Sequence, residues 1–451
     1  MGRYDVLIRG GVVVTASGVS ECDVGISDGV VAVVGPELGG NAGTEIDASG
    51  LHVFPGLIDA HVHFNEPGRT HWEGFASGTR AFAAGGATTV FDMPLNAYPP
   101  TVDGEGFDRK REAGERRALV DFALWGAIQP DNLGGMEKLA ERGVVGFKTF
   151  MSASGTEDFK NVDDLTLYEG MIEAKRLGLP VGVHAESQPF TSRLTQRALA
   201  EVRVSARDYL DSRPVIAELE VISRAVLFAE DTGCALHIVH VSTGRGVDLV
   251  DAARKRGVDV TCETCAHYLM LTEDDLEELG AIAKCAPPLR PAEKREALWE
   301  RILDGRIRMV TSDHSPCPPE MKLGDDMFRA WGGISGGQST IQVLLTEGEN
   351  RGLQLPTLAS ITSEAVARRF GIPKKGRIEV GMDADLSLVD LDRSGTLKAE
   401  DLLYRHKHSP YVGRELKGQV VHTLLRGTPV YAEGKVVSEP MGRLVRPGVP
   451  E

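Results

Sequence analysis

Between about residues 53 and 375, short apolar runs alternate with longer amphipathic stretches, a rhythm that predicts βαβ units around a parallel sheet. The apolar runs give eight candidate strands, at 56–64, 88–93, 122–127, 144–150, 180–184, 235–241, 258–262 and 307–313. Eight strands in this alternation predict an α/β fold, a (β/α)8 TIM-like barrel, which carries its chemistry at the carboxyl ends of its strands. Outside that region the pattern changes. Residues 1–52 and 376–451 read as short strands separated by Gly and Asp turns. The run Leu-Ile-Arg-Gly-Gly at 7–11 is echoed by Leu-Leu-Arg-Gly-Thr at 424–428, so the two end segments are expected to meet in one small β-sandwich module beside a catalytic barrel at 53–375.

Polar residues at the predicted strand ends are the candidate site. In Asp59-Ala60-His61-Val62-His63 two imidazoles stand two residues apart, and the strand period points both to one face. Two such histidines can share one metal ion, and borderline-soft nitrogen donors suit Zn2+. His184, His240 and Asp313 end three further strands, in Val183-His184-Ala185-Glu186, Val239-His240-Val241-Ser242 and Thr311-Ser312-Asp313-His314. Lys148 ends a fifth, with Phe147 and Phe150 nearby, where burial of an ammonium favours a depressed pKa or a chemical modification. Alone it would read as a lysine snorkelling to the surface; beside the histidines it reads as a site residue.

Composition narrows the function. The 451 residues, 42% hydrophobic and 25% charged, suit one large core plus a smaller module. A formal net charge of −15 without long Lys or Arg runs speaks against nucleic acid and against an anionic membrane, and in favour of a small neutral substrate. The start of the chain, from Met1 to Leu7, lacks the apolar stretch of a signal peptide, which leads us to expect a cytoplasmic protein. Six cysteines follow no disulfide-framework spacing and are expected to be reduced.

His61-x-His63, the strand lysine Lys148, His184, His240 and Asp313, in this order, resemble the amidohydrolase superfamily, specifically its cyclic-amide branch of dihydroorotases, hydantoinases and allantoinases. The run Gly381-Met382-Asp383-Ala384-Asp385-Leu386 is also typical of the branch, so the resemblance covers essentially the whole chain. It implies two divalent metal ions, Zn2+ with Co2+ or Mn2+ as alternatives, bridged by a carbamate that CO2 forms on Lys148 (N6-carboxylysine). His61, His63 and Asp313 would hold one ion and His184 and His240 the other. It further implies metal-assisted opening of a cyclic amide with Asp313 as proton shuttle, and a homotetramer.

Smaller signals discriminate within the branch. Dihydroorotases usually follow His-x-His with an arginine two residues on, where this chain has Asn65; hydantoinases usually place a tyrosine five residues beyond the lysine, where it has Ala153. The runs at 66–74, 93–96, 312–322, 330–334 and 404–414 resemble those of allantoinases, which implies allantoin as the substrate, met by Asn96 and by backbone groups near Gly332 and Gly333. Ala286, before Pro287-Pro288, departs from a serine that relatives often carry. The alternatives are a hydantoinase or dihydropyrimidinase of relaxed specificity and a non-catalytic scaffold of the same fold.

Other signals fit no site. Cys262-Glu263-Thr264-Cys265 has metal-like spacing but no second pair, and is read as packing. The glycine-rich run 332–337 lacks the Gly-Lys-Ser/Thr ending of a phosphate loop and is read as a substrate-side loop. His71, His267, His314, His406 and His408 are left outside the metal site.

Overall fold

The computed structural model describes residues 3–448. An N-terminal group of strands, β1 (Arg3–Thr15), β2 (Gly18–Ser27), β3 (Val30–Gly35), β4 (Asn41–Asp47) and β5 (His52–Pro55), leads into the barrel. There the chain forms β6 (Leu57–Val62), β7 (Ala87–Asp92), β8 (Asp121–Leu124), β9 (Gly126–Ala127), β10 (Phe147–Phe150), β11 (Val181–His184), β12 (Leu236–Ile238), β13 (Val260–Cys262), β14 (Thr264–Cys265) and β15 (Val310–Thr311). Single residues, Trp125 and Glu263, separate β8 from β9 and β13 from β14, so each pair is one interrupted strand. All neighbouring pairs are parallel. The ring closes where Val62 bridges His314 in parallel and the His63 N–H donates to the His314 carbonyl at 2.8 Å. The eight strands expected from the sequence are the eight staves of this ring.

Alternation along the staves sorts the core. Ile58 and Ala60, Phe91 and Met93, and Ala123, Trp125 and Ala127 belong to one buried cluster that also takes in Val366 and Phe370, a plug from the helical segment near the end of the barrel. The intervening residues Val90, Phe122 and Leu124 join Phe75, Phe82 and Phe107 of the surrounding helices in the outer core. Helix boundaries follow local chemistry: the Asp163 side chain accepts the Thr166 N–H at the start of helix Asp164–Leu177, and Gly178, at φ 71°, ends it in the left-handed conformation that glycine adopts without strain.

The last strands, β16 (Leu386–Thr396), β17 (Glu415–Leu425), β18 (Thr428–Ala432) and β19 (Lys435–Val436), complete the module. β16 pairs antiparallel with β5, with Leu386 opposite Pro55, and this joins both ends of the chain in one nine-stranded sheet. The sheet curls over Ile8, Val24, Ile26, Val53, Leu386 and Leu424, and Val30 bridges Asp383 across the fold. Beyond β19 the chain returns to the barrel, where Val445 donates to the Phe122 carbonyl at 2.8 Å and Phe122 to that of Arg443 at 3.0 Å. Among the described residues no helix is long and apolar enough to cross a membrane.

Candidate metal centre

The six candidate ligands gather at the carboxyl ends of the staves. His61 and His63 leave β6, and both Nε2 atoms lie 3.3 Å from Asp313 Oδ1, just past β15. Lys148 lies on β10, and His184, on β11, brings Nδ1 to 3.0 Å from Nε2 of His240, just past β12. His240 and Asp313 hold φ at 39° and 45°, a left-handed conformation costly for residues with a Cβ and common where geometry serves a site. Asp59 fixes the seam beneath them: its carboxylate accepts from the His61 and Ser312 N–H groups, both at 3.0 Å.

Burial sets the charge state. It holds the pKa of His61 and His240 well below the ordinary imidazole value and lowers that of His184, so all three are neutral and able to donate a lone pair. Burial also pushes Lys148 down to about 8, against the opposing pull of Asp313 and Glu263. Its Nζ is buried without a hydrogen-bond partner and stands 5.0 Å from the Phe150 ring centre. The Nδ1 atoms of His63 and His240 are also unpartnered. Neutral imidazole nitrogens and a carboxylate crowded together, beside an amine that finds no partner, fit divalent cations.

A further layer, absent from the sequence reading, orients the rings. Glu263 accepts from His61 Nδ1 at 2.5 Å and from His237 Nε2 at 3.1 Å, which leaves His61 Nε2 free to face Asp313. Glu186 lies 2.9 Å from His184 Nε2 and pairs with Arg213. Burial alone would raise the Glu186 pKa, but Arg213 and His184 outweigh it and bring it to about 2. The only available signal was a glutamate beside a strand end, in Cys262-Glu263-Thr264-Cys265 and in Val183-His184-Ala185-Glu186. His314, next to Asp313, faces away from the ligand cluster: its Nδ1 accepts from the N–H groups of Gly336 and Gly337 at 3.2 and 3.4 Å, which ties down the glycine loop.

Above the candidate ligands opens a cavity of about 950 Å³. Asn96 and Gly332 line it. Gly333 instead packs beneath, and a Cβ there would meet the Ser315 carbonyl at 2.4 Å. Asn96 stands at φ 66°, with Nδ2 3.5 Å from Ser315 Oγ and Oδ1 buried and unpartnered. Arg69 braces its loop by donating to the Asn96 carbonyl at 3.1 Å and to Asp158 through both terminal nitrogens. Ala153 lines the wall and brings no hydroxyl.

A parallel barrel with such donors at its open end is built for metal-assisted hydrolysis. The chain belongs to the amidohydrolase family, whose model matches residues 52–430. It is 62% identical to the allantoinase of Rubrobacter xylanophilus, over 99% of this chain and 98% of that protein, and 56% identical to the allantoinase of Solibacter usitatus, over 98% and 97%. Among solved structures it resembles the L-hydantoinase (dihydropyrimidinase) of Arthrobacter aurescens, at TM-score 0.96 and 37% identity over 98% of this chain and 100% of that one.

Proposed function

We propose that this protein is an allantoinase: it hydrolyses the ring amide of allantoin, a hydantoin bearing a ureido arm, to give allantoate. The observation that carries this reading is the meeting of His61, His63 and Asp313 with the His184–His240 pair beneath a cavity wide enough for a substituted ring. The identity to proteins named allantoinase supplies the substrate.

His61, His63 and Asp313 would hold one ion and His184 and His240 a second, and Lys148, as its carbamate, would be a ligand common to the site. A neutral amine can bind only one cation, whereas a carbamate presents two oxygens and a negative charge; the lowered pKa of Lys148 raises the fraction of neutral amine, the form that reacts with CO2. Two bound ions, Zn2+ in our reading, would acidify a shared water and polarise the ring carbonyl. Asp313 takes the proton of the attacking water and returns it to the ring nitrogen as the C–N bond breaks. Glu263 and Glu186 hold the His61 and His184 rings in place throughout. Asn96 and the backbone at Gly332 meet the substrate, with Gly333 packed beneath them, and the enzyme works as a cytoplasmic homotetramer.

The test is a substrate panel on one metallated preparation, with ring opening followed directly for allantoin, hydantoin, dihydrouracil and dihydroorotate. A site built for the ureido arm leaves polar groups unpaired with the other rings, so kcat/KM for allantoin exceeds the rest by well over ~10-fold. Faster turnover of hydantoin or dihydrouracil moves the assignment to a hydantoinase, the second reading, favoured by the likeness to the Arthrobacter aurescens enzyme. Turnover of none returns the scaffold.

A further inference from the structure

Three cations stand close together by the cavity: Lys284 is buried, and Arg213 and Lys322, both half-buried, have strong partners of their own. Arg213 pairs with Glu186. Lys322 directs Nζ to three backbone carbonyls, those of Ala281, Trp331 and Gly333, at 2.8, 2.9 and 2.6 Å, one for each of its N–H bonds. Lys284 differs. It lines the cavity, is 6% exposed, donates to the Ala330 carbonyl at 2.5 Å and stands 4.6 Å from the centre of the Tyr209 ring. Among the described residues no carboxylate pairs with it within 4.0 Å. An ammonium has three donors, and Ala330 takes one.

Burial, with Arg213 and Lys322 nearby, pushes the Lys284 pKa down to about 7. A buried amino group in a cavity wall, with N–H donors to spare and no carboxylate within 4.0 Å, is arranged for an acceptor that arrives with the ligand. Its location says which part of the ligand. A Cβ on Gly332 would lie 4.0 Å from Lys284 Nζ, so the ammonium borders the loop on the substrate side. The ring is claimed by the ligand cluster at the floor, and the wall is left for the arm.

We propose that Lys284 is a specificity-determining residue, whose ammonium donates a hydrogen bond to the carbonyl oxygen of the ureido arm. The inference rests on allantoin being the substrate. A urea carbonyl is a strong neutral acceptor, and a donor on this wall discriminates between rings that carry such an arm and rings that do not. Its bond to Ala330 gives Lys284 a second duty as a brace for the loop, and the experiment separates the two.

The measurement is the ratio of kcat/KM for allantoin to that for unsubstituted hydantoin, in the wild type and in K284M, K284Q and K284R. Loss of a charge-assisted hydrogen bond to the arm lowers the ratio in K284M by about 10- to 100-fold. The loss falls mainly on KM for allantoin, because an arm remote from the reacting carbonyl contributes to ground state and transition state alike. K284Q and K284R, which restore N–H donors, recover part of the ratio, and they carry the test if K284M fails to fold. A wild type that prefers allantoin, with K284M and K284Q keeping its ratio, overturns the inference alone. Equal losses on both substrates overturn it in favour of a loop brace. A wild type without preference for allantoin overturns the substrate reading and this inference together.

Discussion

Two buried clusters of ionisable side chains sit at opposite ends of the barrel, and each brings three potential ligand atoms within 4.8 Å of one another: His61, His63 and Asp313 above, Asp121, Asp383 and Asp385 below. The lower trio already has its cation. Lys375 Nζ reaches Asp121, Asp385 and Asp383 at 2.6, 2.6 and 2.9 Å, and Arg426 pairs with Asp121 at 2.5 Å. Backbone N–H groups of Arg443 and Arg426 satisfy the remaining oxygens of Asp121 and Asp385, both at 2.8 Å. The network fastens the first residue of β8 to the β-module and to the returning tail. In the upper cluster the His61 and His63 Nε2 atoms converge on Asp313 Oδ1, no lysine or arginine pairs with Asp313 within 4.0 Å among the described residues, and Lys148 Nζ is buried without a partner. Buried polar groups that answer one another build structure, and buried polar groups left unanswered await a ligand.

That contrast can be broken from either end. The largest effect is expected from Lys148→Ala, which removes the group that would join the two ions: metal and turnover are lost together while far-ultraviolet circular dichroism stays that of the folded chain. An unmodified Lys148 in the density of a fully metallated, active crystal would contradict the carbamate. Asp313→Asn keeps the shape and removes the proton acceptor, so kcat falls by about 10²- to 10⁴-fold while metal content, read by plasma mass spectrometry, falls much less. Near-normal turnover in that variant would move the shuttle to another residue, and not to His314, whose ring is turned toward the glycine loop.

At the other end, Lys375→Met leaves two buried carboxylates and the half-buried Asp383 with one guanidinium and destabilises the fold by about 3–5 kcal/mol, read by denaturant titration, with the kcat of the folded enzyme unchanged. A Lys375→Met protein of wild-type stability would remove the structural role of the lower network. The smallest effect sharpens the upper cluster: Glu263→Gln weakens the hold on the His61 ring and lowers metal affinity by about 10- to 100-fold in a chelator competition. Unchanged affinity there would mean that strand geometry alone orients His61.

The sequence carried the barrel because its staves are buried on both faces and read as short, mainly apolar runs with polar residues toward their ends, from 56–64 to 307–313. It carried the pairing of the end segments only as an echo between 7–11 and 424–428; the contact itself runs through β5 and β16, which no local pattern announces. The histidines, Lys148 and Asp313 stood out because each is polar at the end of an apolar run. Glu263 and Glu186 did not, since a glutamate beside a strand end gains meaning only from the ring it meets, 202 residues away for Glu263 and His61. Lys284 and Lys375 were equally silent: both are buried lysines, and only the three-dimensional partners separate the one without a counter-ion from the one ringed by three. The glycine loop divides in the same way, with Gly332 on the cavity and Gly333 beneath it.

The comparison is tested most directly by the metal-to-protein ratio of Lys148→Ala and Lys375→Met, purified and metallated side by side with the wild type. The account predicts about two ions per chain in the wild type and in folded Lys375→Met, and close to none in Lys148→Ala. A full complement of ions in Lys148→Ala, or their loss from folded Lys375→Met, would contradict it.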